Sequence, residues 1–442
     1  MADELSFDFI KPLLETEIVT RNDREVIRVR DEKFTTKDVI IAALIARLNV
    51  FLVGEAGTGK TQLMNDVMNA YFNGAALDLR GSTDLDLRGL LTRMNLEKLY
   101  SGKGTSEDVF ELSEKMRFSL ALIDELNRCP PVIQNQFFNI TDGYIEFQGR
   151  KVYLGDNSNY FVGIAAGNLG DGIYTGTFSI DHALRDRLHL TLDTDFYMPE
   201  DEDILEILMG SVQPRIKAAE RKDQSDLVKR AYGVLASNKV NLENVAHSHF
   251  DAWVAAWYLV CGLDYVNVAT GIPTSKRTLK NVYPDILIEK GSGAATDILS
   301  YVKPFSIRGA EKTLSLAMAL SAVRQAKTGK PYELGFEEIV AALEIVLPYS
   351  GAITTTLYDK KPEAYKHPCL AAREIAKEVK KQMQQGVEKL DSLSSKASEG
   401  KLKDADLREL KENWAFARKL LERTNAHAIE TKQTARRGVQ RG

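Results

Sequence analysis

The fold is decided by Asn49-Val50-Phe51-Leu52-Val53-Gly54-Glu55-Ala56-Gly57-Thr58-Gly59-Lys60-Thr61-Gln62, where a short apolar run meets a glycine-rich loop. The apolar run predicts a buried strand, and the residues from Gln62 to Tyr71 predict the helix that follows. Glycines let successive backbone N–H groups approach one anion, and a helix N-terminus adds unsatisfied donors. The loop is therefore predicted to hold the phosphates of a nucleotide.

Two side chains in this loop have specific predicted roles. Lys60 would reach the β- and γ-phosphates, and the hydroxyl of Thr61 would hold Mg²⁺. The predicted nucleotide-binding residues are Gly54, Glu55, Ala56, Gly57, Thr58, Gly59, Lys60, Thr61 and Gln62.

Composition narrows the class of protein. The chain has 442 residues, enough for two or three domains, with 44% hydrophobic and 27% charged residues. A net charge of −4 argues against nucleic-acid binding through an overall positive charge. A local basic patch is still possible. Its three cysteines are far apart, the first residues lack a signal pattern, and no apolar run approaches the roughly 20 residues that span a bilayer. We expect a cytoplasmic protein.

Short apolar runs alternate with helical patterns up to about residue 192, which predicts an α/β fold with a parallel sheet flanked by helices. A helix with one apolar side is expected over 35–48. The five predicted strands are 50–53, 76–79, 120–123, 160–166 and 188–192.

Beyond residue 198 the pattern becomes helical. The predicted divisions are a leader at 1–33, a nucleotide-binding α/β domain at 34–198, a helical domain at 199–355 and a charged helical extension at 356–442. The segment 263–300 is irregular and is expected to be an insertion in the helical domain. Gly386 and the serine-rich segment 392–400 are expected to interrupt the helices of the extension.

A second acidic element follows the phosphate loop. The apolar run 120–123 leads into Asp124 and Glu125. We expect this strand to lie beside the phosphate-loop strand, so that both carboxyl ends meet at one crevice. Asp124 would then hold Mg²⁺ through water, and Glu125 would orient or deprotonate an attacking water.

Polar residues at two later positions complete the candidate site. Asn168 ends the apolar run 161–167 and would contact the γ-phosphate and the lytic water, or else cap the next loop. Arg185 and Arg187 precede the last strand. An arginine from a neighbouring subunit can neutralise charge on the transferred phosphoryl group, but either residue could instead form a surface ion pair.

Together these residues resemble an AAA+ ATPase, and more narrowly the MoxR-like branch of the group with a helix-2 insertion. Residues 123–131, Ile-Asp-Glu-Leu-Asn-Arg-Cys-Pro-Pro, are similar to the Asp-Glu-Ile-Asn-Arg-x-Pro-Pro of that branch. Residues 176–180 and 186–188 resemble its Gly-Thr-Tyr-Pro-Leu and Asp-Arg-Phe. Residues 306–310 resemble the Ser-Pro-Arg-Ala of its second sensor. The resemblance covers about 34–350.

The resemblance implies ATP and Mg²⁺ as ligands, a P-loop AAA+ core and a helical lid. It makes Glu125 the water-activating residue, Asn168 the first sensor, Arg187 the arginine finger acting in trans, and Arg308 the second sensor. The family pattern demands no arginine at position 185. The hairpin pattern of 144–153 would then lie near the pore of a ring and contact substrate, or else be an ordinary surface hairpin.

The resemblance implies a ring-forming, hexameric remodelling ATPase that assembles, activates, remodels or loads metal into a partner complex. The partner of this branch often carries a von Willebrand factor A domain, which this chain lacks. One alternative is a nucleic-acid motor or restriction-type NTPase, which the acidic net charge disfavours. Another is a scaffold that uses ATP for assembly alone, which the intact Lys60, Asp124 and Glu125 disfavour.

Overall fold

The structure is a computed structural model that describes the following residues: 5–85, 91–94, 100, 110–156, 159–168, 178–210, 220–240, 252, 255–256, 258–263, 298–354, 357, 367–408 and 415–439. The chain divides into two units. Unit 1 consists of Met1–Arg28, Lys33–Val234 and Ala322–Lys330. Unit 2 consists of Val29–Glu32, Leu235–Ser321 and Pro331–Gly442.

The strands of the described residues are β1 (Ile27–Val29), β2 (Glu32–Phe34), β3 (Val50–Val53), β4 (Leu77–Arg80), β5 (Thr92–Met94), β6 (Phe110–Leu112), β7 (Leu120–Asp124), β8 (Tyr144–Phe147), β9 (Arg150–Tyr153), β10 (Val162–Gly167) and β11 (Leu190–Asp193). The α-helices are α1 (Lys11–Glu15), α2 (Thr36–Ile45), α3 (Lys60–Phe72), α4 (Pro131–Thr141), α5 (His182–Arg187), α6 (Asp201–Gly210), α7 (Ser225–Val240), α8 (Ile307–Thr328), α9 (Phe336–Val346), α10 (Pro368–Ser398), α11 (Asp404–Arg408) and α12 (Ala415–Val439).

The centre of unit 1 is a five-stranded parallel sheet in the order β11-β3-β10-β7-β4. All five predicted strands are present, and the α/β fold class with a parallel sheet and helical flanks is confirmed. The expectation that β7 lies directly beside β3 is wrong, because β10 lies between these two strands and pairs with both. Parallel strands need not be spatial neighbours when helices connect them. The carboxyl ends of β3, β7 and β10 still share one edge of the sheet.

Helix α2 is buried on almost every side rather than on one. Nine of its residues are buried, including the run from Val39 to Ile45. Its start is fixed by a capping box, in which the Thr35 side chain accepts from the Asp38 backbone while the Asp38 carboxylate accepts from the Thr35 backbone. The expected amphipathic helix is therefore a core helix that ends three residues earlier than predicted, at Ile45.

The first residues of unit 1 pack into its core. Phe7, Ile10 and Leu13 are buried. The buried carboxylate of Asp66 on α3 accepts hydrogen bonds from the backbone and the hydroxyl of Thr20, at 2.7 and 2.6 Å. This segment is therefore attached directly to the helix that follows the phosphate loop.

In unit 2, α10 contacts both α9 and α12. Arg30 Nε forms an ion pair of 2.5 Å with the buried carboxylate of Glu338, and the same carboxylate accepts from the backbone of Gly335 at the start of α9. The interruption expected at Gly386 is wrong, because α10 runs unbroken to Ser398 and ends before Gly400. Packing against two helices outweighs the roughly 1 kcal/mol helix penalty of one glycine.

One expectation falls largely outside the described residues: the insertion predicted within 263–300. The domain boundaries drawn from the sequence stay predictions. Within the described parts of the chain, no helix combines the length and the apolar character needed to cross a membrane.

Candidate nucleotide-binding site

The phosphate loop joins β3 to α3, as predicted. Gly57 and Gly59 have φ angles of 90° and 85°, in the left-handed region that side chains disfavour. A Cβ atom added at either glycine would meet no atom within 4 Å, so the loop is open on that side. Because α3 begins at Lys60, its unsatisfied N–H groups and the positive end of its dipole lie at the loop. This geometry suits an anion.

The Lys60 side chain folds over the loop. Its Nζ donates to the carbonyl oxygens of Gly54 and Glu55 at 2.8 and 2.5 Å, and to the hydroxyl of Thr58 at 3.2 Å. Partial burial lowers the pKa of Lys60, an effect opposed by nearby carboxylates, with Asp195 first among them. The ammonium group is therefore held within the loop by neutral oxygen atoms.

The end of β11 anchors the loop. The hydroxyls of Thr58 and Thr194 lie 2.7 Å apart, and Thr194 donates to the carbonyl of Val53 at 2.9 Å. The backbone N–H of Glu55 donates to the carboxylate of Asp195 at 2.8 Å. Neither Thr194 nor Asp195 was predicted. The available signal was their position after the last parallel strand, whose carboxyl end meets the edge that carries the loop.

The hydroxyl of Thr61 donates to Asp124 Oδ2 at 2.8 Å, so the first turn of α3 and the end of β7 are joined. The other carboxylate oxygen of Asp124 accepts from the backbone of Glu125 at 2.9 Å. The structure thus brings together the two residues that the sequence suggested as metal ligands.

Glu125 lies in a sharp turn directly after β7. Its φ of 54° is in the left-handed region, which is uncommon for a residue with a side chain. Its exposed carboxylate forms an ion pair of 2.9 Å with Arg128. The backbone of Gly81 is pressed against this turn, since a Cβ atom there would lie 2.1 Å from the carbonyl oxygen of Glu125. Close packing against the backbone of Gly81 therefore holds the Glu125 turn in place.

Asn168 is half-buried and follows directly on β10. The register pairs Gly167 with Val53 of β3, so Asn168 lies at the same sheet edge as the phosphate loop. The buried side chain of Asn127 also reaches this edge, because a Cβ on Gly167 would lie 3.1 Å from Asn127 Oδ1. No role was predicted for Asn127.

The arginines lie on α5. Arg187 Nε forms an ion pair of 2.9 Å with Asp142, and its guanidinium lies 5.0 Å from the centre of the Phe138 ring. The buried Nε of Arg185 has no hydrogen-bond partner among the described residues. The two residues therefore differ: Arg187 is held by an acidic partner at the end of α4, whereas Arg185 Nε is buried.

The buried side chain of Asn49 connects the ends of α4 and α5 to β10, at the sheet edge opposite the phosphate loop. Asn49 Nδ2 donates to the carbonyls of Thr141 and Arg187 at 2.8 and 3.0 Å, and its Oδ1 accepts from the backbone of Gly163 at 2.7 Å. From its position in the sequence, Asn49 was expected only to begin a strand.

The hairpin predicted at 144–153 is present as β8 and β9, in antiparallel pairing from Tyr144–Tyr153 to Phe147–Arg150. Lys151 Nζ lies 4.2 Å from the centre of the Tyr144 ring, and Tyr153 is 74% exposed. The last predicted site residue, Arg308, is an exposed residue in the first turn of α8 and belongs to unit 2.

Residues 49–188 match the family model described as AAA domain, dynein-related subfamily. This part of the chain is therefore similar to AAA-type ATPases, and the similarity implies ATP binding. No curated protein matches the chain. Among solved structures, the chain is similar to the crystal structure of a candidate ATPase from Cytophaga hutchinsonii, with 13% sequence identity and a TM-score of 0.47 over 78% of this chain and 87% of that one. The narrower likeness to the MoxR-like branch stays a prediction.

Proposed function

We propose that this protein is a ring-forming AAA+ ATPase of MoxR type that hydrolyses ATP to assemble, activate or remodel a partner protein complex. The observation that carries the proposal is the hydrogen bond of 2.8 Å between Thr61 and Asp124, beside an open phosphate loop. A glycine-rich loop alone supports binding of an anion, whereas this pair adds the oxygen ligands that a nucleotide–metal complex requires.

The donor set at this point fits Mg²⁺. A hydroxyl and a carboxylate are hard oxygen ligands, and Mg²⁺ is usually held by one or two such groups together with water and substrate phosphates. Thr61 and Asp124 would hold the ion, with Asp124 acting through water. The chemistry that the ion supplies when bound is neutralisation of charge on the β- and γ-phosphates.

Glu125 is proposed as the residue that orients a water molecule and accepts its proton. The water oxygen attacks the γ-phosphorus, the bond from that phosphorus to the bridging oxygen breaks, and ADP and phosphate leave. Asn168 would contact the γ-phosphate and the water, and Lys60 would balance the charge of the phosphates. The support is their common location at the carboxyl edge of the sheet.

Arg187 is proposed to complete the site of a neighbouring subunit, and Arg308 to reach the nucleotide from the helical lid. The active form would therefore be a closed homo-oligomeric ring, most simply a hexamer. Movement of Arg187 towards a neighbour would require release of its ion pair with Asp142, which precedes the β8–β9 hairpin.

The proposed partner is a protein with a von Willebrand factor A domain, or another protein substrate. The β8–β9 hairpin would contact it, since one of its faces carries Tyr144, Lys151 and the exposed Tyr153. The same face favours one alternative, a nucleic-acid motor, because aromatic rings beside cations also stack on bases. Salt-dependent DNA binding, or turnover stimulated by DNA, would support the motor.

The hydrolysis assignment is tested with Glu125→Gln and its matched control Glu114→Gln, which changes an exposed glutamate of the same unit. We expect the wild type and the control to hydrolyse ATP, and Glu125→Gln to bind ATP with turnover reduced about 100-fold or more. Undiminished hydrolysis by Glu125→Gln would remove the residue from this role.

The ring is tested by mixing two inactive variants. Arg187→Ala lacks the trans arginine, and Glu125→Gln lacks the lytic carboxylate, so mixed rings contain some sites with both groups intact. We expect partial recovery of ATPase activity on mixing, and ring-sized particles by native mass measurement in the presence of ATP. Full activity of Arg187→Ala alone would exclude the finger. Arg117→Ala, at an exposed position, serves as the control.

A further inference from the structure

The side chain of Gln134 is completely buried in the first turn of α4. Both polar atoms of its amide form hydrogen bonds with backbone groups. Its Nε2 donates to the carbonyls of Cys129 and Ser179 at 2.9 and 3.1 Å. Its Oε1 accepts from the backbone N–H of Asp181 at 2.9 Å. One amide therefore connects two segments that are about 50 residues apart in sequence.

The first segment is the turn that follows Glu125. A single 3₁₀ turn, Leu126–Arg128, leads to Cys129, whose carbonyl Gln134 contacts. The second segment leads into the arginine helix α5. Asp181 is the N-cap of α5, since its carboxylate accepts from the backbone of Ala183 at 2.7 Å. Gln134 thus fixes the residue at which the helix bearing Arg187 begins.

Two further contacts join the same two parts of the chain as the Gln134 amide. The backbone N–H of Phe178 donates to the carbonyl of Asn127 at 2.7 Å. At the other end of α4, Asp142 forms the ion pair with Arg187. Helices α4 and α5 are therefore connected at both ends, and near the Glu125 turn the side chain of Gln134 supplies hydrogen bonds to both segments.

We infer that Gln134 is a positioning residue that couples the Glu125 turn of one subunit to the arginine helix that the same subunit presents to its neighbour. The inference rests on the proposed function, in which Arg187 acts in trans. A planar amide is the side chain that can donate twice and accept once without carrying a charge, as this buried site between two carbonyls and one N–H requires. If the Glu125 turn shifts on hydrolysis, the hydrogen bonds of this amide would move the start of α5 with it.

The test uses Gln134→Met in the full chain, which keeps the length of the side chain but removes the amide. Gln136→Met, at an exposed position on the same helix, is the matched control. Because a displacement of about 1 Å in a catalytic group can cost about 100-fold in rate, we expect kcat for ATP to fall about 10- to 100-fold. KM for ATP and ring assembly should stay within about twofold, since this amide makes no contact with the phosphate loop.

Mixed rings separate positioning of the arginine from general damage. An excess of Glu125→Gln subunits supplies intact arginine helices, so turnover per Gln134→Met subunit should recover towards the wild type. An excess of Arg187→Ala subunits should give no recovery. If Gln134→Met keeps wild-type turnover, or if Glu125→Gln subunits fail to restore it, the inference is wrong.

Hydrogen–deuterium exchange gives a readout that does not need turnover and keeps this inference distinct from the proposed function. We expect Gln134→Met to speed exchange of the Asp181 amide and of the first turn of α5, while Gln136→Met leaves both unchanged. Unaltered exchange at Asp181 would overturn the inference even if ATP hydrolysis and the trans arginine are established. Absent hydrolysis in the wild type would instead refute the proposed function.

Discussion

The hydroxyl of Thr61 and the carboxylate of Asp124 are joined by a hydrogen bond of 2.8 Å, although 62 residues lie between them and the strand before Thr61 does not pair with the strand that ends at Asp124. β10 separates β3 from β7, and α3 contacts both β10 and β7. The candidate metal ligands are therefore placed by the course of α3 over the sheet rather than by direct strand pairing.

Replacement of Thr61 by Ala should remove the gain in ATP affinity that Mg²⁺ provides. The hydroxyl is one of two protein oxygens proposed to hold the ion, and loss of even a supporting group at a metal site weakens binding about 10- to 100-fold. Titration of ATP with and without Mg²⁺ measures the effect, and Thr61→Ser, which keeps the hydroxyl, is the control. A Mg²⁺ response in Thr61→Ala equal to the wild type would contradict the assignment.

Gly81→Ala should destabilise unit 1 and reduce turnover together. Its Cβ would lie 2.1 Å from the carbonyl oxygen of Glu125, a backbone atom that cannot move without moving the turn that carries Glu125. Such overpacking costs about 1–3 kcal/mol. Denaturant unfolding and ATPase assays measure both effects.

The control for that substitution is Gly233→Ala on α7, where an added Cβ would meet no atom within 4 Å. It should stabilise the protein by about 0.5–1 kcal/mol, because alanine favours a helix. If the two substitutions had equal effects, the close contact at Gly81 would be unimportant.

Asn49→Ala should lower the free energy of unfolding by about 2–4 kcal/mol. The change leaves the carbonyls of Thr141 and Arg187 and the N–H of Gly163 without the amide that pairs with them in a buried place. Asn135→Ala, at an exposed position on α4, should change stability by less than about 0.5 kcal/mol. Chemical denaturation of the two variants gives the comparison.

Proton uptake on ATP binding should grow as the pH is raised from 7 to 9. Burial lowers the pKa of Lys60, so the neutral amine is more populated at alkaline pH than it would be for an exposed lysine. The bound phosphates favour the charged ammonium and raise the pKa, which draws a proton from solution. Calorimetry at pH 9 in buffers of different ionisation enthalpy measures this uptake. An uptake of zero there would show that Lys60 stays fully charged without nucleotide.

Much of the candidate site could be predicted because its signals are local. A strand, a glycine-rich loop and a helix N-terminus follow one another within residues 49–62, and Asp124 and Glu125 directly follow an apolar strand. The hairpin at 144–153 was also predictable, because alternation and a Gln148-Gly149 turn are encoded within ten residues. In each case the residues that act together are neighbours in the chain.

The residues that were missed act through distant backbone atoms. Gln134 and Asn49 bind carbonyl and N–H groups, which every residue possesses and which therefore leave no pattern in a sequence. Thr194 and Asp195 meet the phosphate loop because β11 pairs with β3. The prediction that α2 is buried on one side was wrong. The periodicity of its apolar residues does not determine how many of its faces the neighbouring elements cover.

The sequence by itself determined the phosphate loop, the acidic strand end and the alternation of strands and helices, since short-range sterics and hydrogen bonding specify each of them. Only the tertiary structure decided the order of the strands, the meeting of Thr61 with Asp124, and the attachment of the arginine helix to the Glu125 turn. These depend on long-range packing, in which one buried side chain satisfies polar groups that the chain brings together from far apart.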